Sequence, residues 1–366
     1  MKLNCLCVAS FLVASATFAQ APQPDTLVSP EIQPDRRATF RIRAPQASEV
    51  AFFGDWMPAG RQEKMTKDAQ GVWSLTLGPL PPGIYIYTFT VDGLTIADPV
   101  NPRIKLRSRT SASLLEVPAG VPELWEPRDV PHGAVEINWQ KTKVINGETR
   151  EIWVYTPPGY EKSRSVRYPV LYLFHGSNDI AGGWTLAGRA NLILDNLLAE
   201  KKLAPMIVVM PYGHAVPYGS PRERQAKNTA LYEEYVLKDV MPLIESKYRV
   251  ASGRRNRAIA GLSMGGGQAL SIGLAHLDLF SAVGAFSAAV PADIETALAD
   301  SKGIDERLSL LWIGCGRQDS LFGRSQKLSE LLKARGIRHT FRDTEGAHTY
   351  TVWRQYLGEF APLLFR

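Results

Sequence analysis

The sequence predicts an α/β catalytic domain that follows a smaller all-β sandwich domain. Two patterns carry this prediction. In residues 24–103, apolar and polar residues alternate over short runs separated by turn sequences, as in half-buried antiparallel strands. From about residue 132 to 366, short apolar runs alternate with longer amphipathic stretches, which favours a parallel sheet covered by helices. The length of 366 residues suits two such domains.

The first 19 residues have the pattern of a secretory signal peptide, in which Lys2 precedes an apolar run and small residues end at Ala19. The run is too short for a membrane anchor, and no later run is long enough to span a bilayer. We therefore expect a secreted protein, periplasmic or extracellular. Cys5 and Cys7 leave with the signal, so that Cys315 remains as a core residue without a disulfide partner.

The composition argues for a globular protein without nucleic-acid or metal chemistry. Hydrophobic residues make up 45% and charged residues 21% of the chain, and the net charge of +6 is spread along it. The densest basic segment, at Arg254, Arg255 and Arg257, leads into a predicted strand and carries no nucleic-acid-binding motif. No group of His, Cys, Asp and Glu has the spacing of a metal site, and we expect no cofactor.

The all-β segment has several short strand patterns. The run IYIYTFTV places Tyr85, Tyr87 and Phe89 on one face of a strand, and turn sequences such as Pro-Pro-Gly and Asp-Gly separate such runs at short spacing. This pattern indicates a β-sandwich. Residues 104–131, rich in Pro, Arg and Ser, are predicted to be a linker.

The order of FFGDW, GVWSLTL, GIYIYTFTVDG and ADPVNP resembles the immunoglobulin-like N-terminal domains of glycogen-branching and debranching enzymes, the family-48 carbohydrate-binding modules. The resemblance implies a carbohydrate-binding module, in which Trp56, Trp73, Tyr85 and Tyr87 stack on sugar rings. The alternative, which we favour, is that these aromatic side chains pack in the sandwich core or against the second domain.

The second domain is organised around RAIAGLSMGGG, residues 257–267. A buried strand, the sequence Gly-x-Ser-x-Gly centred on Ser263 and a helix-like run follow one another, which is the order of a nucleophile elbow. The glycines suit this turn because side chains next to a strained serine would clash. The pattern therefore predicts an α/β-hydrolase domain with Ser263 as its nucleophile.

The serine needs a base and an orienting acid, in the chain order Ser, then Asp or Glu, then His. His348 lies in a loop after a predicted strand and is the expected base. Asp319 follows the predicted strand that ends near residue 313 and is the expected acid, with Glu345 as the alternative. The backbone N–H groups of Met264 and Ser177 are the expected oxyanion-hole donors.

Aromatic residues in the loops are candidates for substrate contacts, since an apolar pocket would suit a phenolic acyl group. His214 is either a pocket wall or a surface histidine, and His175 is expected to be a packing residue rather than a second base. The predicted substrate-contacting residues are Trp184, Tyr212, His214 and Phe322, with Tyr218 as a further aromatic.

The motifs LYLFHGS, GLSMGGGQAL, GCGRQDSL and GAH together resemble the carbohydrate esterase family 1 feruloyl esterases, relatives of the enterochelin esterases and mycolyltransferases. The resemblance covers roughly residues 134–365. It implies that Ser263, Asp319 and His348 form a catalytic triad and that Ser177 and Met264 supply the oxyanion donors.

The expected function is therefore that of a secreted serine esterase that releases feruloyl groups from plant cell-wall arabinoxylan or its oligosaccharides. An acetyl xylan esterase and a catechol-siderophore esterase of the enterochelin type remain as alternatives. A non-catalytic glycan-binding protein is a further alternative, against which the Ser, Asp, His order argues.

Overall fold

The computed structural model of the chain describes residues 26–58, 60–162 and 164–366, so the predicted signal peptide lies outside the described residues. Within these ranges the chain forms two β-sheets in its first third and one larger sheet with helices in the remainder. No described helix combines the length and the apolar character needed to cross a bilayer.

The N-terminal domain is built from ten short strands. In chain order they are β1 (Glu31–Ile32), β2 (Ala38–Arg43), β3 (Val50–Gly54), β4 (Glu63–Lys64), β5 (Thr66–Lys67), β6 (Val72–Leu77), β7 (Gly83–Val91), β8 (Leu94–Ile96), β9 (Ile104–Lys105) and β10 (Ala112–Val117). One sheet has the order β1-β2-β6-β5, and the other has the order β4-β3-β7-β10-β9 with β8 paired to β7. The apolar faces of both sheets contribute to one core, which supports the prediction of an all-β domain.

The linker prediction is wrong for its first part, because β9 and β10 lie between residues 104 and 117. β10 pairs antiparallel with β7 over five residues, so it is a full strand of the second sheet. Polar residues flank the short apolar run ASLLEV, and this composition concealed a strand whose side chains are almost all buried.

The aromatic residues considered as sugar platforms lie in the sandwich core. Tyr87 is fully buried, and Trp73 and Tyr85 are less than 10% exposed. Trp56 packs against Phe52 and Tyr85 at ring-centroid distances of 5.8 and 5.2 Å. The favoured alternative, in which these side chains pack internally, is therefore confirmed.

The second domain contains an eight-stranded sheet. Its strands are β11 (Ala134–Lys141), β12 (Thr149–Thr156), β13 (Val170–Phe174), β14 (Ile207–Pro211), β15 (Arg257–Leu262), β16 (Ala282–Phe286), β17 (Leu310–Gly316) and β18 (Thr340–Thr344). The order is β11-β12-β14-β13-β15-β16-β17-β18. β11 and β12 form an antiparallel pair, β12 pairs antiparallel with β14, and β14, β13 and β15 to β18 run parallel. This arrangement agrees with the parallel sheet that the short apolar runs predict.

Helices cover the faces of this sheet. They are α1 (Gly183–Leu186), α2 (Ala190–Ala199), α3 (Arg222–Gln225), α4 (Asn228–Tyr235), α5 (Met241–Lys247), α6 (Met264–Ala275), α7 (Ile294–Ala297), α8 (Ser301–Arg307), α9 (Phe322–Ala334) and α10 (Tyr350–Phe360). A π-helical turn, Val236–Val240, joins α4 to α5. This turn lies just before Pro242, which lacks the N–H that a continuous α-helix would use.

The two domains share a buried interface. Ile84 and Ile86 of β7, together with Ala112 and Leu114 of β10, belong to the same apolar cluster as α2, α10 and one face of the large sheet. The guanidinium of Arg354 on α10 donates to the carbonyl oxygens of Ile84 and Ala187 at 2.9 and 2.8 Å. The outer face of the second sandwich sheet is therefore packed directly on the α/β domain.

Candidate active site

Ser263 lies in the tight turn between β15 and α6, with the strained backbone expected of an elbow. Its φ of 52° falls in the region that non-glycine residues rarely adopt. A Cβ on Gly261 would lie 2.4 Å from the backbone of Gly265, and one on Gly265 would lie 2.6 Å from the carbonyl oxygen of His175. Both glycines are required for the close approach of the turn to β13, which supports the elbow prediction.

The structure pairs His348 with Asp319. Nδ1 of His348 and Oδ2 of Asp319 are 2.8 Å apart, and the carboxylate of Asp319 is fully shielded from solvent. Asp319 follows β17 and His348 follows β18, so the carboxyl ends of two neighbouring parallel strands bring them together. A carboxylate in this position fixes the imidazole so that Nε2 is free to accept a proton.

Several groups hold Asp319 in its ionised form. Burial alone would raise the pKa of this carboxyl, but the hydrogen bond to His348, the charge of His348, the backbone N–H of Leu321 and the Ser287 hydroxyl together lower it. The Leu321 N–H donates to Oδ1 at 2.8 Å. Oδ2 is therefore left for His348, as an orienting acid requires.

Glu345, the alternative acid, has a different environment. Its carboxylate is exposed and accepts hydrogen bonds from Arg317 at 2.9 Å and from Gln318 at 2.5 Å. It makes no hydrogen bond to His348 among the described residues. The geometry therefore favours Asp319 over Glu345 as the partner of the histidine.

Trp353 on α10 fixes the other side of the histidine. Its ring meets that of His348 edge-on, with centroids 4.9 Å apart. Its indole N–H donates to the Ser287 hydroxyl at 3.0 Å. Ser287 and Trp353 were not singled out from the sequence, although Ser287 directly follows β16, where site residues of this sheet type gather.

Ser263 and His348 line the same cavity, whose volume is about 280 Å³. Leu262, residues 176–179 of the loop after β13, residues 348–350 and Trp353 complete its α/β side. The remaining wall comes from the N-terminal domain and comprises Phe53, Asp55, Ile86, Lys105 and Arg107. The candidate active site thus lies at the interface between the two domains.

The predicted oxyanion donors flank Ser263. Met264 is the first residue of α6, so its N–H has no acceptor within the helix. Ser177 lies in the loop after β13, and its N–H makes no hydrogen bond to another described residue. Both N–H groups are available to a developing oxyanion.

Two sets of contacts position the Ser177 loop. Nε2 of His175 accepts from the Gly213 N–H at 2.8 Å, which agrees with the predicted packing role of His175. Lys105 of the N-terminal domain forms a buried ion pair with Asp179. The Asp179 carboxylate also accepts from the Tyr350 hydroxyl at 2.6 Å and from the Ile180 N–H at 2.8 Å.

The structure corrects one of the predicted substrate contacts and places another outside the cavity. Trp184 is fully buried, donates to the Phe174 carbonyl at 2.9 Å and packs on Tyr350, so it supports the cavity from the core. Phe322 starts α9, packs on Phe341 of β18 and does not line the cavity, so its contact with a substrate stays a prediction. A position in a loop does not reveal the direction of a side chain, which is why the prediction for Trp184 is wrong.

Tyr212, His214 and Tyr218 form an aromatic group beside the site, where His214 is 5.4 Å from each tyrosine ring. His214 is 2% exposed, so the surface-histidine alternative is wrong. Burial, and then the nearby His175, lowers the pKa of His214 to about 4. These side chains do not line the 280 Å³ cavity, and their contact with a substrate stays a prediction.

No group of three or more His, Cys, Asp or Glu side chains within the described ranges could hold a metal ion.

Comparison with known proteins gives consistent matches. Residues 143–363 match the family model described as putative esterase. The chain is 31% identical over 366 residues to an endo-1,4-beta-xylanase/feruloyl esterase of Xylanibacter ruminicola, an alignment that covers 94% of this chain and 48% of the relative. The chain therefore spans about half the length of that relative.

Solved structures agree with the fold. A CE1 ferulic acid esterase from Anaeromyces mucronatus superposes with a TM-score of 0.58 at 25% identity, covering 67% of this chain and 96% of that one. The enterobactin esterase of Shigella flexneri superposes with a TM-score of 0.67 at 20% identity, covering 89% and 92%. The first likeness is confined to part of the chain, whereas the second extends over most of it.

Proposed function

The chain belongs to the putative esterase family and is a carboxylic ester hydrolase, and from this premise we propose that it is a secreted serine esterase for hydroxycinnamoyl esters. Its substrates are feruloyl groups on plant cell-wall arabinoxylan or on oligosaccharides derived from it. The observation that carries the proposal is the Asp319–His348 pair beside Ser263 in one cavity.

Catalysis proceeds through an acyl-enzyme. Ser263 attacks the ester carbonyl while Nε2 of His348 takes its proton, and Asp319 stabilises the imidazolium. The N–H groups of Met264 and Ser177 bind the oxyanion of the tetrahedral intermediate. His348 then protonates the sugar oxygen as the bond between it and the acyl carbon breaks, so that the sugar leaves as the free alcohol. A water molecule that gives its proton to the same histidine then releases the acid from Ser263.

The feruloyl assignment rests on the relatives. The Xylanibacter ruminicola relative is named as a feruloyl esterase as well as a xylanase, and its alignment includes the N-terminal domain as well as the α/β domain. The ferulic acid esterase structure supports the same acyl group for the α/β domain. Secretion is proposed from the sequence of the first 19 residues alone.

The catechol-siderophore esterase is the second candidate, because the Shigella flexneri enterobactin esterase resembles both domains in fold. A multiply charged anionic substrate would favour a cationic cavity. Here Lys105 is paired with Asp179, and the carboxyl of Asp55 lines the cavity together with Arg107, so the cavity is not uniformly cationic. This mixed lining favours a neutral ester over a catecholate complex.

Two experiments test the proposal. A fluorophosphonate probe should label the wild-type protein and leave Ser263→Ala unlabelled, since the probe reacts with an activated serine. Wild-type protein should release ferulate from methyl ferulate and from feruloylated arabinoxylan oligosaccharides. Hydrolysis of acetylated xylan or enterobactin in preference to both feruloyl substrates would contradict the feruloyl assignment.

A further inference from the structure

The N-terminal domain supplies five side chains to the wall of the catalytic cavity. They are Phe53, Asp55, Ile86, Lys105 and Arg107. They come from β3, β7, β9 and the segments that follow β3 and β9, which lie on the face of the sandwich that packs on α10. A separate binding module would not need to place polar groups beside Ser263 and His348.

These polar groups differ in whether they have partners. Lys105 is satisfied by Asp179 and by the carbonyl oxygen of Leu106 at 2.9 Å, and its role is structural. Both oxygen atoms of Asp55 are shielded from solvent, and neither has a hydrogen-bond partner. No salt bridge or hydrogen bond joins Arg107 to another described residue.

An unpartnered buried carboxylate is costly and therefore rare in folded proteins. Burial is the main cause that raises the pKa of Asp55 to about 7, and the nearby N–H of Ile86 and the charges of Arg354 and Arg107 oppose it only in part. The carboxyl thus exists in both protonation states near neutral pH. A group of this kind both accepts and donates hydrogen bonds, whereas Arg107 only donates.

We propose that Asp55 and Arg107 form a hydroxyl-binding subsite of the catalytic cavity, so that the N-terminal domain takes part in substrate selection. A hydroxyl group both donates and accepts, so it can satisfy the carboxyl and the guanidinium together. An anionic substituent would suit Arg107 but would meet the Asp55 carboxylate. The subsite therefore favours a neutral ester that carries hydroxyl groups.

The interface holds this subsite at a fixed distance from Ser263. Ile86 lines the cavity and belongs to the buried cluster with α10, and the Asp55 N–H donates to the Ile86 carbonyl at 2.9 Å. Arg354 binds the carbonyl of the neighbouring Ile84 from α10. A side chain anchored in this way can discriminate between substrates, because it cannot move aside freely.

The proposal rests on the proposed function, in which the substrate hydroxyl has two sources. It is either the phenolic hydroxyl of the acyl group or a hydroxyl of the sugar that leaves. Three esters distinguish them: methyl cinnamate has neither group, methyl ferulate has the phenolic hydroxyl, and 5-O-feruloyl-arabinofuranose has both. If a variant of the subsite loses activity on methyl ferulate and on the arabinose ester, the subsite binds the phenolic hydroxyl of the acyl group. If it loses activity on the arabinose ester alone, the subsite binds a hydroxyl of the sugar.

The test compares Asp55→Ala with Glu49→Ala, whose carboxylate is exposed at the opposite end of the same strand. We expect Asp55→Ala to lower kcat/KM for the hydroxyl-bearing ester by roughly tenfold or more, the usual effect of losing a hydrogen bond to a charged group. Methyl cinnamate should be hydrolysed as by the wild type. Asp55→Asn should recover part of the loss, because its amide still accepts and donates. Glu49→Ala should match the wild type on all three esters.

Stability measurements separate a binding role from a structural one. Neither oxygen of Asp55 has a partner, so Asp55→Ala and Asp55→Asn should not lower Tm. The proposal is overturned if all three esters lose activity equally, or if none does. The proposed function is judged separately, from whether wild-type protein hydrolyses the feruloyl esters at all.

Discussion

Replacing Lys105 with Met should destabilise the protein and should also slow catalysis, although Lys105 does not take part in the reaction at Ser263. The side chains of Lys105 and Asp179 are 3% and 7% exposed, so they form a buried ion pair across the domain interface. Met preserves the length of the side chain and removes only its charge. Asp179 would then be a buried carboxylate without its cation.

The loss of stability depends on the hydrogen bonds that Asp179 keeps after its ion pair is removed. Breaking a buried ion pair by removing one partner costs about 3–5 kcal/mol. Asp179 keeps its hydrogen bonds from Tyr350 and from the Ile180 N–H, so we expect the lower end, about 3 kcal/mol. With an unfolding entropy of about 2.1 cal/mol/K per residue, this corresponds in a chain of 366 residues to a fall in Tm of roughly 4 °C.

Activity should fall as well, because Asp179 lies two residues after Ser177. If the loop shifts, the Ser177 N–H no longer points at the oxyanion, and loss of one such donor lowers kcat by roughly 10²–10³-fold. That value is the upper limit, since the loop retains its contact through His175. The assays are thermal unfolding and hydrolysis of methyl ferulate below the unfolding transition.

Two controls make the result interpretable. Lys64→Met removes an exposed lysine from β4 of the same sheet and should behave as wild type. The double variant Lys105→Met/Asp179→Asn should be more stable than Lys105→Met, because no uncompensated charge remains buried. If Lys105→Met and Lys64→Met have the same Tm and the same kcat, the reasoning is refuted. If Tm falls but kcat is unchanged, the ion pair stabilises the protein but does not position the Ser177 loop.

Four other predictions concern the site and the interface. Ser263→Ala should lower kcat by about a million-fold with an unchanged fold, and normal turnover in the folded variant would exclude Ser263 as the nucleophile. Asp319→Asn should lower kcat by about 10⁴-fold and Glu345→Gln only slightly, whereas the reverse order would identify Glu345 as the acid. A protein that begins near Arg128 should show a lower Tm and weak hydrolysis even of methyl ferulate, since it lacks the cavity wall and exposes the face packed on α10; a stable, fully active fragment would contradict this. The pKa of Asp55 is raised from 3.8 to about 7, so between these pH values the folded protein holds a proton that the unfolded chain has released. The free energy of unfolding is therefore higher at low pH and falls as pH rises towards 7. The difference in Tm between Asp55→Asn and the wild type should therefore grow in favour of the variant from about pH 4 to about pH 7, and a constant difference would argue against the raised pKa.

The sequence was sufficient for features that depend on local pattern. The apolar run at Val170–Phe174 forms β13 as expected, and the small residues around Ser263 form the elbow because only they tolerate the contact with β13. The positions of Asp319 and His348 after successive strands also followed from chain order. Each of these depends on residues close in sequence or on a fixed rule of the fold.

The features that the sequence did not reveal depend on packing between distant segments. Asp55 occurs in a Gly-Asp pair that is typical of a turn, and Arg107 lies in a Pro-, Arg- and Ser-rich segment that is typical of a linker. Neither residue has a periodic pattern that indicates a cavity. Asp55 and Arg107 come to line the cavity only because β7 and β10 pack on α10, and no local sequence pattern predicts this packing.

The hydrogen bond from Arg354 to Ile84 joins positions 270 residues apart in the chain. During synthesis, the strands of the first domain leave the ribosome long before α10 is made. Their outer apolar face is therefore exposed to solvent until α10 packs on it. Contacts between residues so far apart in sequence form late, and an apolar face that stays exposed in the meantime promotes aggregation. The final helix therefore governs the soluble yield of the first domain, and a short C-terminal deletion should reduce the amount of correctly folded protein recovered from expression.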